Sequence, residues 1–477
     1  MDCRITVLPQ EYIVSCKKGE NLLSVLRTAG IVVDAPCGGT GRCGKCKVTI
    51  DGEKHSACRI TVERSMTVTI PQIHENSVAS CRETVGEEYC LALDIGTTTV
   101  VGCLLGKETG REAATGRTHN PQAPFGADVI SRIRHAKQGG MELLTAAIQK
   151  AVETMTIEMC AWAGVDPKQI SLVSFVGNPA MQQLFLGISP ENLARIPYRP
   201  VLTQAKYVPA KKYIPCCHEA ELMIVPDISG FVGADTAACV LATGMDQNEK
   251  ITLLVDIGTN GEMVLRGQGK MVACSTAAGP ALEGANITCG MGGREGAIDH
   301  VWIEDGKLCC SVIGDCRAEG ICGSGLIDAV AAALKLGLLD GRGRIIGTEK
   351  QILLCDGVFL TQEDIRQVQV AKGAIAAGIE LMAQHMGIEL QSIDQVYLAG
   401  AFGTFMNPES ACRIGLLPPV LLPKIKAVGN AALSGAKMLV RDRRLLDRIQ
   451  NIVEQAEAFE LAASPAFRRC FAQNMRF

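Results

Sequence analysis

At 477 residues with a net charge of −3, the chain is too long for one ordinary core and carries no basic footprint for nucleic acid or a membrane surface. Hydrophobic residues make up 47%, with 50 Gly and 4% aromatics, which excludes disorder and describes turn-rich globular domains with aliphatic cores. The 22 Cys come without a signal-peptide-like start, which argues against a disulfide framework and for a reducing, cytoplasmic setting. The most apolar later stretches, Gly325–Leu339 and Ala371–Met386, are broken by Asp328, Lys335 and Glu380, so no membrane-spanning helix is expected.

Residues 2–80 read as a small β-rich module. Arg4–Leu8 and Tyr12–Cys16 alternate as a hairpin would, and Asn21–Ala29 has helical spacing at Leu22, Leu23, Val25 and Leu26, with Gly30 as its stop. The stretch PCGGTGRCGKCKVTI follows. Its Cys37, Cys43 and Cys46 form C-x5-C-x2-C among four glycines, and Cys58 comes in a later SACRI. Four thiolates complete a [2Fe–2S] cluster, and glycines let a short loop turn amide N–H groups toward the sulfurs. Zinc is the competing metal, but its structural sites pair ligands as two knuckles, and only Cys43 and Cys46 make such a pair. The spacing resembles adrenodoxin-like ferredoxins, one residue longer in its first gap than the plant type. Cys81, after the strand-like Met66–Ile70, is the one substitute for Cys58.

A short polar linker leads to Leu91–Val100, LALDIGTTTV, echoed by LLVDIGTNGEMVL at Leu253–Leu265. Each runs from an apolar strand through a tight turn back to apolar residues. Asp94 and Asp256 stand where a buried strand meets solvent, each placed to hold Mg²⁺ directly or through water. Gly96 and Gly258 let an anion approach the backbone. Thr97, Thr98, Thr99, Thr259 and Asn260 offer hydroxyl, amide and N–H groups to phosphate oxygens. Glu262 follows the second turn closely enough to orient an attacking water, although an exposed hairpin carboxylate is the commoner state of such a residue.

Between the two motifs, Met141–Ala163 reads as a long amphipathic helix, Ile170–Val176 as a strand ending at Gly177, and Ala180–Leu186 as a helix. After the second come a Gly-rich loop at Gly279–Gly296, a Gly-Ser turn into a helix within Gly320–Leu339, and a long helix at Asp364–Met386. Val396–Phe402 then reads as a strand running into Gly403. Each half thus has an Asp-Ile-Gly hairpin first, helices next and a strand-to-glycine turn late, the pattern of an internal duplication. Two related α/β lobes would hold one nucleotide between the paired turns.

These motifs resemble the superfamily of acetate and sugar kinases, heat-shock chaperones and actin, whose fold is a duplicated RNase H-like α/β ATPase. The resemblance makes the two Asp-Ile-Gly-Thr turns its phosphate loops and LAGAFG, Leu398–Gly403, its adenosine motif, with Gly400 and Gly403 against the nucleoside. Joined to an N-terminal β-grasp ferredoxin-like module, and with GPALEGANITCGMGG and GICGSGLID, the whole is similar to the reductive activators of corrinoid proteins. That implies a [2Fe–2S] domain at 1–82, a linker at 83–89 and an ATPase at 90–477, with lobes at about 90–245 and 250–477. It also implies ATP and Mg²⁺ as ligands, a corrinoid protein of a methyltransferase system as partner, an upstream low-potential electron donor and a homodimer. The short linker points to a form lacking the middle domain of longer activators. Rival readings are an ATP-driven donor to another acceptor, as in dehydratase activators, and a small-molecule kinase. The ferredoxin module argues against the kinase, and cluster ligands in a module of their own argue against the dehydratase activator.

Overall fold

In the computed structural model, the described residues are 2–8, 12–29, 31, 33, 46–70, 88–461 and 464–477. Cys37, Cys43, Cys81 and most of the linker lie outside them. The chain divides into two compact units, one of Met1–Phe175, Ala180–Val201 and Tyr207–Met223, the other of Val176–Pro179, Leu202–Lys206 and Ile224–Phe477.

The first unit starts with β1 (Asp2–Leu8), β2 (Tyr12–Lys17), α1 (Leu22–Thr28), β3 (Lys47–Ile50), β4 (Glu53–Ser56) and β5 (Met66–Thr69). The sheet order is β2-β1-β5-β3-β4, with β1 antiparallel to β2 and parallel to β5. A helix crossing a mixed sheet with a central parallel pair is the β-grasp arrangement the sequence predicts. The apolar positions of α1, Leu22, Leu23, Val25 and Leu26, are all buried in one core with Ile5, Val7, Val48 and Val68.

Next come β6 (Tyr89–Ile95), β7 (Thr99–Gly106), β8 (Glu112–His119), α2 (Val129–His135), α3 (Met141–Ala163), β9 (Ile170–Val176), α4 (Pro179–Phe185), β10 (Lys206–Pro209) and β11 (Glu221–Ile224). They build a six-stranded sheet of order β10-β11-β9-β6-β7-β8. Its meander is covered by α3. Gly102 and Gly116 are cross-strand partners, and a Cβ on either would come within 2.9 Å of Met155, so two glycines make the hollow that seats the methionines of α3.

The second unit carries α5 (Ala234–Thr243), β12 (Thr252–Ile257), β13 (Gly261–Gly267), β14 (Lys270–Thr276), β15 (Ala297–Glu304), β16 (Lys307–Val312), β17 (Gly320–Ile321), α6 (Gly323–Lys335), β18 (Gln351–Leu353), β19 (Phe359–Thr361) and α7 (Gln362–Met386). It closes with β20 (Gln395–Ala399), α8 (Gly400–Phe405), α9 (Pro408–Arg413), β21 (Ile425–Gly429), α10 (Ala431–Arg441), α11 (Leu445–Gln455), β22 (Ala456–Ala458) and α12 (Phe467–Asn474). The large sheet here runs β21-β20-β12-β13-β14-β22. Its core joins Leu253, Val255, Met263 and Leu265 to Leu326, Ile375 and Leu398.

The duplication is therefore topological. In both sheets a three-stranded meander that opens on the Asp-Ile-Gly strand is flanked by a strand from much later in the chain, β9 in one and β20 in the other. The helix α7 begins two residues before its expected start because Thr361 and Asp364 form a capping box. One expectation fails. The apolar run Val396–Phe402 is not one strand, because β20 stops at Ala399 and the chain turns into α8 at Gly400, whose φ is 87°. Only a glycine enters that left-handed region without strain. No helix among the described residues is long and apolar enough to cross a membrane.

Candidate functional site

In the first hairpin, β6 is buried almost throughout and delivers a half-buried Asp94 to its end. The N–H of Gly96 donates to the Thr99 carbonyl at 2.9 Å, and a Cβ on Gly96 would sit 2.8 Å from that same oxygen, so the turn admits only glycine. Three successive carbonyls of the turn are held by donors from outside it. Asn120 Nδ2 donates to Gly96 O at 2.8 Å, Arg132 Nη2 to Thr97 O at 2.6 Å, and the Asn120 N–H to Thr98 O at 2.8 Å. A trans peptide points its N–H opposite to its C=O, so the N–H groups of Thr97 and Thr98 point to the side away from these donors. Asn120 and Arg132 escape a reading of the motif alone, since they are supplied by the segment after β8 and by α2.

The second hairpin shares the backbone plan but not the charge. Asp256 on β12 and Glu262 on β13 are direct cross-strand partners, and Asp235 in the first turn of α5 acts on both. Burial pushes the Asp235 carboxyl up to about 6, against the pull of hydrogen bonds from Thr236. Burial, then the Asp235 and Glu283 carboxylates, raise Asp256 to about 7, while a thiol hydrogen bond from Cys239 at 3.6 Å opposes the rise. Glu262 is held well above the usual carboxylate range, by burial first and then by Asp235 and Asp256. Three carboxyls in one desolvated patch disfavour one another's ionisation, a cost that a bound cation would relieve. Glu262 is thus no solvated hairpin residue: it is half-buried and accepts from Ser275 Oγ at 3.2 Å.

Thr259 Oγ1 donates to Glu283 Oε2 at 2.7 Å, which ties the second turn to the Gly-rich loop expected near a ligand. Gly258 closes the turn through its N–H to Asn260 O at 2.9 Å, yet a Cβ there would meet nothing nearer than 3.8 Å. Gly400 is close to the carboxylate: its Cβ would stand 2.6 Å from Asp256 Oδ1. Gly403 lies inside α8 against Leu398. The donors around the second turn, carboxylates and a hydroxyl, are those of a hard cation. Among the described residues no three His, Cys, Asp or Glu side chains converge on one metal position. A site of one or two carboxylates completed by phosphate oxygens and water is the usual Mg²⁺ arrangement, and these residues fit it.

In the β-grasp module Cys46 leads into β3 with no exposure, and Cys58 sits half-buried in the single turn Ala57–Arg59. The Cys58 N–H donates to Cys46 Sγ at 3.4 Å, the Ala57 N–H to Cys46 O at 2.7 Å, and Asn21 Nδ2 to Cys58 O at 2.9 Å. Both thiols are free of disulfides. Burial pushes the Cys46 thiol up, with a contribution from the neighbouring Cys58. Two adjoining sulfurs in a fixed backbone, one already taking an N–H, fit half of a cluster cradle; Cys37 and Cys43 lie outside the described residues. The later cysteines are dispersed. Cys309 and Cys310 occupy adjacent positions on β16, Cys310 interacting with Cys355, while Cys316 is exposed and Cys322 is buried at the start of α6.

Three family models match successive parts of the chain: the 2Fe-2S iron-sulfur cluster binding domain over residues 5–85, the RACo middle region over 89–248, and the C-terminal domain of RACo, the ASKHA domain, over 250–477. The corrinoid activation enzyme RamQ of Eubacterium limosum is 34% identical over 418 residues, spanning 82% of this chain and 70% of that protein. The chain belongs to the family of corrinoid reductive activators. The [Co(II) methylated amine-specific corrinoid protein] reductase of Methanosarcina barkeri is 28% identical over 426 residues, 82% of this chain and 77% of that one. A solved structure titled reductive activator for corrinoid, iron-sulfur protein matches 100% of this chain and 98% of its own, at 27% identity and a TM-score of 0.76. One expectation is corrected by these matches. This activator does not lack the middle region, since residues 89–248, read from the sequence mainly as a first ATPase lobe, match that region's model. The short linker was a poor guide, because the middle region follows the ferredoxin module directly.

Proposed function

We propose that this chain restores corrinoid proteins of a methyltransferase system to their active state by reducing inactive Co(II) to Co(I), with ATP as the driving nucleotide. The observation that carries this reading is the union, in one chain, of an iron–sulfur module and a duplicated pair of Asp-Ile-Gly hairpins, within a family whose relatives are named for corrinoid activation.

Cys37, Cys43, Cys46 and Cys58 hold a [2Fe–2S] cluster, which when bound supplies one electron at a time at low potential. Cys58 donates its N–H to a ligand sulfur at the edge of the module's core. The turn of Gly96, Thr97 and Thr98 holds phosphate oxygens through N–H groups and hydroxyls. Asp94 and Asp256 organise Mg²⁺ and water, and Gly258, Thr259 and Asn260 form a second phosphate turn. Glu262, whose pKa is raised by burial and by the neighbouring Asp235 and Asp256, would orient an attacking water beside the cation. Gly400 and Gly403 lie on the nucleoside side.

Plant-type [2Fe–2S] centres lie near about −400 mV. For one electron, each ~59 mV uphill costs a factor of ten in equilibrium constant. Nucleotide must therefore stabilise the reduction-competent complex more than the resting one, since equal binding to both shifts nothing. An upstream low-potential donor reloads the cluster, and the active species is a homodimer.

The test is anaerobic. Reduced protein is mixed with a Co(II) corrinoid subunit of a methyltransferase, and the Co(I) absorption band is followed with and without MgATP. ATP-dependent growth of the band is expected. Equal growth without nucleotide, or with a non-hydrolysable analogue, would refute the role of hydrolysis.

A further inference from the structure

Arg132 is the largest fully buried side chain of the described residues, at 0% exposure, and no ion pair is among its contacts. Its guanidinium donates to Thr97 O at 2.6 Å, Gly126 O at 2.9 Å and Gln122 Oε1 at 3.2 Å, and lies 3.1 Å from Met181 Sδ. Burial lowers its pKa to about 9, and the Asp128 carboxylate opposes that fall from a distance. Arg132 therefore keeps its charge at neutral pH. Asp128 is itself engaged as N-cap of α2, accepting from the Ser131 N–H at 2.8 Å. The position is tightly built. A Cβ on Gly126 would stand 2.7 Å from the Arg132 N, and Gln122 is fixed from its other end by Nε2 to Leu144 O at 3.0 Å.

A purely structural clamp needs no charge here. Asn120, beside it, holds two carbonyls of the same turn with neutral N–H groups. Removing a cation from water costs several kcal/mol unless an anion compensates it. All of Arg132's acceptors are neutral, and the one on the turn belongs to the peptide whose N–H, that of Thr98, faces the opposite way. An anion received by those N–H groups would lie one peptide away from a buried positive charge, in a medium that screens it weakly.

We propose that Arg132 is the positioning residue and fixed positive charge of the first Asp-Ile-Gly turn, setting its preference for a polyphosphate over an uncharged ligand. This rests on the nucleotide reading above. It makes the first hairpin selective by charge, so that inorganic tripolyphosphate binds to it without a nucleoside.

The test is calorimetric titration of the full chain, purified anaerobically, with ATP, tripolyphosphate and adenosine. In Arg132→Gln, affinity for ATP and for tripolyphosphate should fall by about tenfold or more, the scale of a lost charge-assisted interaction, while adenosine binds as before. Arg132→Lys, which keeps the charge but cannot reach every acceptor, should lose part of the affinity for both phosphates and none for adenosine. It decides the matter if the glutamine variant shows no cooperative thermal transition. Wild-type affinity for tripolyphosphate in the folded variant overturns the proposal, and so does an equal loss for adenosine, the mark of a structural role. A wild-type protein that binds tripolyphosphate but not ATP would sink the nucleotide reading and leave this one standing; one that binds neither sinks both.

Discussion

Two glycines at equivalent places in the two hairpins should behave differently when a methyl group is added. Gly96→Ala drives a Cβ to 2.8 Å from the Thr99 carbonyl, whereas Gly258→Ala meets nothing closer than 3.8 Å. The first should cost about 1–3 kcal/mol of stability and most nucleotide binding, and the second less than about 0.5 kcal/mol. Urea melts and ATP titrations of the two variants check this. Glu262 yields a pH signature. Its folded pKa is raised, so the native protein holds a proton that the unfolded chain releases near pH 4. Stability is then greatest below that pH and falls as pH rises toward the folded pKa. Without metal or nucleotide, Glu262→Gln should raise the melting temperature at pH 8 and leave it almost unchanged at about pH 3.5, below the unfolded-state titration. A stabilisation equal at both pH values would mean that Glu262 is already ionised in the native state.

At the scale of elements, α5 connects packing to the carboxylates, since it bears Asp235 in its first turn and Cys239, which donates to Asp256. It lies against α10 through Gly435, where a Cβ would come 2.3 Å from the Ala238 carbonyl. Gly435→Ala must push the helices apart, at about 1–3 kcal/mol, and should lower ATPase activity although the substitution touches no ligand. Unchanged melting and activity would show that the helices can relax. The long elements were legible because period and cap agree: α3 occupies the expected Met141–Ala163 and ends on a left-handed Gly164. The run Val396–Phe402 was misread because an unbroken apolar stretch has no period to tell strand from helix, and the turn is made by the φ of Gly400, which spelling alone does not reveal. Both Asp-Ile-Gly turns were legible. Their supports, Asn120, Arg132, Asp235 and Glu283, were not, because tertiary folding brings them there from other elements.

At the scale of the molecule, the β-grasp module has a hydrophobic core of its own. Cys58→Ala should therefore abolish the visible spectrum of the cluster and leave steady-state ATP hydrolysis within about twofold, the change expected between sites that share no partners. Asp94→Ala should do the reverse. Loss of both properties in either variant, with the fold intact by circular dichroism, would refute the division of labour. Removing iron with a chelator should likewise spare ATP binding. The order of modules was readable because the cysteine spacing and the repeated hairpin are local signatures. The middle region was not, because it bears one of those hairpins and reads as half of an ATPase.

The shape of the first turn is stored outside it. Asn120 and Arg132 hold the carbonyls of Gly96, Thr97 and Thr98, so the backbone course depends on residues that no short motif contains. In evolutionary terms the backbone course can outlast a change in the threonines, even where a lost hydroxyl weakens the hold on phosphate. Distant members of this family would then keep the shape of the turn longer than its spelling, with an asparagine and a buried arginine behind a glycine as its mark.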